Sequence, residues 1–199
     1  MSSERILTVE TLSSVYSKKK IKNRRSLDIQ YSIPTNGVNE HTGFCMYISG
    51  FRGHANTNIA KKWEEFNEMG LMQAIDNITA LLAVMKKTAE DGYTFNSKKV
   101  ILYGNSHGAY LCHLCNILMP NFISLIIDNS GWIYPVHINK DRRSLAVETG
   151  KTKIKVVFDY IARNIIDDHK IIDLSYLYSQ YNNKAHIIAF HGENDNIVT

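Results

Sequence analysis

Residues 98–108 constrain the fold of this chain more than any other segment. A β-branched and apolar run over 100–103 (VILY) leads into 104–108 (GNSHG), and a helical pattern follows over 109–119. Strand, sharp turn and helix in this order are the context that the pattern G-x-S-x-G requires. Glycine on both sides of the serine permits strand and helix to approach closely. The segment therefore predicts a strand that carries Ser106 on a tight turn into a helix.

A serine on such a turn is suited to nucleophilic catalysis. Its hydroxyl is exposed near the N-terminus of the following helix, where backbone N–H groups stabilise developing negative charge. The motif in this context predicts a nucleophile elbow with Ser106 as the nucleophile. An ordinary strand–helix turn with an incidental serine is the alternative at this point.

The rest of the chain alternates between strand and helix patterns. The uniformly apolar run 44–48 predicts a strand that is buried on both faces. Further strands are expected over 27–33, 122–127 and 185–190, and helices over 58–66, from Leu71 to about Gly92 with a stripe of Leu71, Ile75, Ile78, Leu82 and Met85, and around 155–166. This alternation predicts an α/β fold, a mostly parallel sheet covered by helices on both faces. We expect one domain over 1–199, with 132–184 as a lid or insertion.

Sites in sheets of this kind form at the carboxyl ends of the strands. Four polar or glycine-rich segments follow predicted strands: 50–53 (GFRG), 104–108 (GNSHG), 128–131 (DNSG) and 191–195 (HGEND). Neither a zinc-ligand spacing nor a phosphate-binding glycine loop competes with them.

In this order, SGFRG, GNSHG and HGEND resemble the α/β-hydrolase superfamily, over about Leu27 to Thr199. More narrowly, NTNIAKKW, NEMGLMQAIDNITALL, YGNSHGAYLCHLCN and SLIIDNSGW are similar to a bacterial family of uncharacterised function. The resemblance implies a serine hydrolase that acts on an ester, thioester or amide. It implies a small-molecule or peptide acyl substrate and no metal or organic cofactor.

The resemblance also implies roles for individual residues. Ser106 is the expected nucleophile, and the backbone N–H groups of His107 and Phe51 are the expected oxyanion hole. Asp195 matches the triad acid, which orients the base. Asp128 is the alternative acid, since some relatives use the end of the preceding strand.

The general base departs from the superfamily pattern. The superfamily places its catalytic histidine beyond Asp195, and residues 196–199 contain none. His107 is expected to point away from Ser106, and His113 to serve in packing or capping. Candidate bases are His54, His137 and His191. A non-catalytic remnant or binding protein on the same fold is therefore the alternative to an active or shortened hydrolase.

A second departure concerns the sheet. Residues 54–97 hold two helical patterns and no apolar run fit for a strand, whereas the superfamily has a strand between these helices. We expect one central strand to be missing, so that a strand pairs differently or leaves an exposed edge.

Charge and cysteine content bear on the remaining function classes. The net charge of +4 comes mostly from 18–25 (KKKIKNRR), which predicts the charged edge of an N-terminal hairpin. No nucleic-acid-binding module accompanies it, so a nucleic-acid role is the weakest of three interpretations. No apolar stretch reaches the ~18 residues of a membrane span. Cys112 and Cys115 share one predicted helix face, which favours packing over redox chemistry and predicts a reduced, cytoplasmic protein.

Overall fold

A computed structural model describes residues 2–12, 24–50, 70–135, 138, 144–150, 152–157 and 166–195 of the chain. In chain order the strands and helices are β1 (Ser2–Leu12), β2 (Arg24–Pro34), β3 (Phe44–Ile48), α1 (Leu71–Glu90), β4 (Val100–Asn105), α2 (His107–Leu118), β5 (Leu125–Asn129), β6 (Ser144–Thr149), β7 (Thr152–Val157), α3 (Leu174–Ser179) and β8 (His186–Phe190). A short 3-10 helix, His169–Ile172, precedes α3.

The central sheet of the described residues is parallel, with the strand order β3-β4-β5-β8. Its register pairs Ile48 with Gly104, Asn105 with Asn129, and Asn129 with Phe190. The carboxyl ends of the four strands therefore lie side by side. A parallel sheet flanked by helices confirms the predicted α/β fold class.

The main core lies between one face of this sheet and helices α1, α2 and α3. Val100, Leu102 and Ile126 are fully buried there and pack with Tyr110 and Leu114 of α2.

The prediction that β3 is buried on both faces was wrong. Tyr47 is 61% exposed and Cys45 is exposed, whereas Ile48 is buried. The described helices pack on the face that carries Ile48, which leaves the side chains of alternate residues on the opposite face.

Helix α1 packs only part of the predicted stripe against the core, where Leu71 and Ile78 are partly buried. Met85 is buried as expected, but Leu82 is 43% exposed. The helix packs against α2 and the β1–β2 hairpin, and this contact selects its inner face. The buried residues are Met72, Ala74, Ala80, Leu81, Met85 and Thr88. Gly92, with φ of 82°, follows the last turn and ends the helix as predicted.

The N-terminal hairpin is confirmed. β1 and β2 pair in antiparallel register from Ser2 with Pro34 to Leu12 with Arg24, so the second strand is longer than the predicted 27–33. Ile29 and Ile33 are buried, and Arg5 reaches Asp91 beyond the end of α1 at 3.4 Å. Most of the basic run lies outside the described residues.

The prediction of a helix around 155–166 is wrong over its first residues. Thr152–Val157 is the strand β7, which pairs in antiparallel register with β6. Its β-branched residues alternate with lysines, a pattern that favours a strand. The connecting turn contains Gly150, whose φ of 59° favours glycine. Residues 158–165 lie outside the described part of the chain.

The region of the expected missing strand is described in part. Residues 70–99 hold α1 and no strand, and β3 pairs directly with β4. Residues 51–69, with the predicted helix over 58–66, lie outside the described residues. Of the described helices, none has the length and apolar character needed to cross a membrane.

Candidate active site

Ser106 connects β4 to α2 in a strained backbone conformation. Its φ is 53° and its ψ is −121°, a region that residues with a side chain rarely adopt. Its N–H donates to the Asn129 carbonyl of β5 at 2.8 Å, and its own carbonyl accepts from the Ala109 N–H at 3.0 Å. The adjacent strand and the first turn of α2 therefore fix the conformation that the motif predicts.

The motif glycines permit close backbone contacts on both sides of the serine. A Cβ at Gly104 would lie 2.5 Å from the backbone nitrogen of Ala109. A Cβ at Gly108 would overlap the Ile48 carbonyl oxygen at the end of β3. Real Cβ atoms do not approach backbone atoms so closely, so a side chain at either position would force the helix away from the sheet.

The chain that leaves β3 passes directly beside Ser106. A Cβ placed on Gly50 would lie 3.4 Å from the Ser106 Cβ and 3.0 Å from the Asn105 carbonyl oxygen. The expected oxyanion loop therefore begins next to the serine. Phe51, the expected second oxyanion donor, and the candidate base His54 both lie outside the described residues.

The His107 side chain points into the core. It is 3% exposed, its Nε2 lies 2.6 Å from Gln73 Oε1 on α1, and its ring centroid lies 5.3 Å from that of Trp132. Its backbone N–H is the first of α2, and the N–H groups at a helix N-terminus point out of the first turn. The His107 side chain can therefore serve in packing, while its backbone N–H serves as a donor at the helix N-terminus.

Asp195 lies in the turn that follows β8. Its N–H donates to the Gly192 carbonyl at 3.1 Å, and its side chain is partly buried. His191 begins the same loop, with Nε2 3.3 Å from the Gly131 carbonyl oxygen. Ser106 and His191 follow Asn105 and Phe190, which both pair with Asn129 of the intervening strand β5, so the two residues lie at the same edge of the sheet.

Sequence comparison matches residues 49–139 to the model of a family described as a protein of unknown function, DUF2920. No functionally curated protein matches the chain.

Solved structures with a similar fold include a candidate dipeptidyl aminopeptidase IV from Bacteroides ovatus. Its TM-score is 0.57 at 12% identity, and the match covers 95% of this chain and 28% of that protein. The peroxisomal α/β-hydrolase Lpx1 from Saccharomyces cerevisiae matches with a TM-score of 0.39 at 14% identity, over 66% of this chain and 45% of Lpx1. Est1E from Butyrivibrio proteoclasticus, in complex with ferulic acid, matches with a TM-score of 0.44 at 13% identity, over 95% of this chain and 86% of Est1E. The chain thus spans less than half the length of the first two proteins.

The chain has the α/β-hydrolase fold.

In this α/β-hydrolase fold, Asp128 is held by a buried histidine. Asp128 lies near the end of β5, and one carboxylate oxygen is 3.1 Å from His113 Nε2 on α2. The other oxygen accepts the Gly131 N–H at 2.6 Å. Burial raises the pKa of the Asp128 carboxyl, but the hydrogen bonds from His113 and Gly131 outweigh burial and leave its pKa below the ordinary value. The alternative acid is thus a buried carboxylate with a hydrogen-bond partner at each oxygen.

The second ring nitrogen of His113 contacts helix α3. Nδ1 lies 2.8 Å from the Tyr178 hydroxyl on α3, which also accepts from Asn116 Nδ2 at 3.2 Å. Sequence reasoning treated His113 as a packing or capping residue and missed its pairing with Asp128. The available signal was a buried-face histidine two helical turns after Ser106, opposite a carboxylate at the end of a neighbouring strand.

The other described histidines lie elsewhere in the fold, and His186 is an exposed residue of β8. His41 is near Glu40 at 3.7 Å, and His169 Nδ1 lies 3.0 Å from the Tyr134 hydroxyl. Among the described residues, no histidine forms a hydrogen bond with the Ser106 hydroxyl. His137, like His54, lies outside them. The same residues contain no group of three or more His, Cys, Asp or Glu side chains that could bind a metal ion.

Proposed function

We propose that this chain is a serine hydrolase that cleaves an ester, thioester or amide through an acyl-enzyme on Ser106. The observation that carries the proposal is the φ of 53° and ψ of −121° at a strand–helix junction beside Gly50. Strained conformations of this kind persist where the surrounding structure enforces them, and they cluster at active sites. The fold supports the same chemistry by analogy.

In the proposed first step, Ser106 Oγ attacks the substrate carbonyl carbon and its proton passes to a general base. The backbone N–H groups of His107 and Phe51 donate to the resulting oxyanion, and donors of this kind each contribute roughly 3–4 kcal/mol to transition-state stabilisation. Collapse of the intermediate breaks the bond to the leaving group, which takes the proton. Water then hydrolyses the acyl-enzyme by the same sequence of steps.

We assign Asp195 as the acid that orients the base. It follows the last strand of the sheet, and a serine that precedes its acid agrees with the order in this fold. Asp128 is disfavoured as the acid because its histidine partner faces Tyr178. The candidate bases are His54, His137 and His191.

We further propose a small-molecule or peptide acyl substrate and a bacterial, cytoplasmic setting. The proposed chemistry uses neither a metal nor an organic cofactor, and neither nucleic acid nor a membrane is a proposed partner.

The test is labelling of the purified, folded chain with a fluorophosphonate, which forms an Oγ–P bond on an activated serine and releases fluoride. We expect one adduct on Ser106 in the wild type and none in Ser106→Ala. Ser179→Ala is the matched control, since Ser179 is an exposed serine on α3, and it should label like the wild type. Loss of labelling in His54→Ala, His137→Ala or His191→Ala would identify the base.

A folded wild-type chain without an adduct would contradict the proposal. That result would favour the alternative, a non-catalytic binding or remnant protein on the hydrolase fold.

A further inference from the structure

We infer that His113 and Asp128 are a positioning pair for Ser106, which acts by fixing the loop 128–131 against α2. The inference rests on the proposed function, because it assigns the pair a role in the reactivity of the proposed nucleophile. Neither residue is expected to contact the substrate.

The contact between His113 and Asp128 fixes the loop 128–131. The side chains of His113 and Asp128 are 9% and 12% exposed, so water does not compete effectively for their contact. The carboxylate also accepts the Gly131 N–H, so the loop curls around it. A Cβ on Gly131 would lie 2.6 Å and 2.8 Å from the two carboxylate oxygens and 2.9 Å from the Ala109 Cβ. The loop therefore packs closely on both the carboxylate and α2.

The loop 128–131 also contacts the backbone of Ser106. Asn129, next to Asp128 in the chain, provides the carbonyl that accepts the Ser106 N–H at 2.8 Å. Ser130 follows with φ of 59°, and its N–H donates to the Phe190 carbonyl at 2.8 Å. A displacement of the Asp128 carboxylate thus moves the acceptor that holds the serine backbone.

Two neighbouring groups orient the imidazole ring of His113. Tyr178 binds Nδ1 from α3, while Asp128 binds Nε2 from β5. With both ring nitrogens engaged, the imidazole has one orientation, and α2, α3 and the loop are joined through it. A ring that is engaged in this way is not available to take a proton from the Ser106 hydroxyl, which makes the pair a positioning device.

The experiment compares Asp128→Asn and His113→Gln with matched controls. Asp168→Asn removes an exposed carboxylate that also accepts a backbone N–H, from Lys170 at 3.0 Å. His186→Gln replaces an exposed histidine on β8. Two quantities are measured: hydrogen exchange of the Ser106 amide by NMR, and the rate constants of fluorophosphonate labelling.

We expect both test variants to speed exchange at the Ser106 amide and to leave the amides at the start of β4 unchanged. The limiting labelling rate constant should fall by about tenfold or more with probe affinity unchanged, since a displacement of ~1 Å can cost ~10²-fold. The controls should match the wild type in both measurements.

Unchanged exchange at the Ser106 amide in the test variants would overturn the inference, whether or not the wild type labels. A wild type that never labels contradicts the proposed function alone. A smaller labelled fraction with an unchanged rate constant would indicate a purely structural role and would also overturn the inference. If both test variants fail to fold, Tyr178→Phe decides by the same exchange measurement; it keeps the ring and removes the hydroxyl that binds His113 and Asn116.

Discussion

Replacement of Ser106 by glycine should give a more stable protein than replacement by alanine, although both remove the proposed nucleophile. The φ of 53° and ψ of −121° at this residue are sparsely populated for any residue with a Cβ, and such conformations cost about 1–3 kcal/mol. Glycine adopts them without that cost. The appropriate reference is Ser106→Ala, which removes the hydroxyl but keeps the Cβ and therefore the strain.

Two smaller effects oppose this gain in stability. Glycine gives the unfolded chain about 0.5–1 kcal/mol more conformational entropy than alanine. Removal of the Cβ also loses its contact beside Gly50, which is worth less than the ~0.8 kcal/mol of a fully buried methylene because residue 106 is only partly buried. We therefore expect Ser106→Gly to exceed Ser106→Ala in unfolding free energy by about 1 kcal/mol. For a chain of this length, that is a rise in Tm of roughly 2–4 °C.

The comparison is made by urea and thermal unfolding of the two variants side by side. Asn121→Gly is the control, since Asn121 has φ of 64° and is exposed. Asparagine tolerates the left-handed region, so glycine there should change the stability by no more than about 0.5 kcal/mol. If Ser106→Gly proves equal to or less stable than Ser106→Ala, the backbone at residue 106 is not strained.

Two further predictions concern titratable side chains. Iodoacetamide should modify Cys45 in the native protein and should modify Cys112 and Cys115 only after urea unfolds the chain. Burial raises the pKa of both Cys112 and Cys115, that of Cys115 to about 12. Fast modification of either buried thiol in the native protein would contradict this packing. The pKa of Asp128 is lower in the folded state, so its contribution to stability is present above the unfolded pKa of ~4 and is lost as pH falls through the folded pKa. In urea unfolding, the stability difference between wild type and Asp128→Asn should therefore shrink below pH ~4, and a difference independent of pH would refute the linkage.

The fold class was predictable because the alternation of strands and helices depends on local pattern. The buried face of each strand or helix was not predictable, because it depends on the element that packs against it. The run 44–48 is apolar at every position, yet Tyr47 is exposed, since the described helices cover the other face of β3. Leu82 belongs to the predicted stripe and is exposed, because α1 packs on α2 with the side of the stripe that carries Ile78 and Met85 inward.

The sequence of the β6–β7 hairpin contains a strand pattern that was interpreted as part of a helix. Thr152, Ile154 and Val156 alternate with Lys153 and Lys155 after Gly150, as in the second strand of a two-stranded hairpin. The helical interpretation of 155–166 extended across the second strand of this pattern.

At the candidate site, the sequence predicted the elbow and its glycines because strand, turn and helix are contiguous there. The pairing of His113 with Asp128 was not predictable. The two residues are 15 positions apart, and their contact depends on which side of α2 faces β5. The roles of Asp195 and of the base remain predictions, and the Phe51 loop lies outside the described residues.

Stability alone does not account for the buried pair of His113 and Asp128. Removing a carboxylate from water costs about as much free energy as its hydrogen bonds return, so apolar side chains of the same volume would support the core equally well. Apolar side chains could not bind the Gly131 N–H, however, and could not set the path of 128–131. That path decides where the Asn129 carbonyl points, and this carbonyl accepts the N–H of the strained residue. Because a strained conformation persists only when its surroundings over-determine it, the buried carboxylate is best understood as part of what keeps the serine in place.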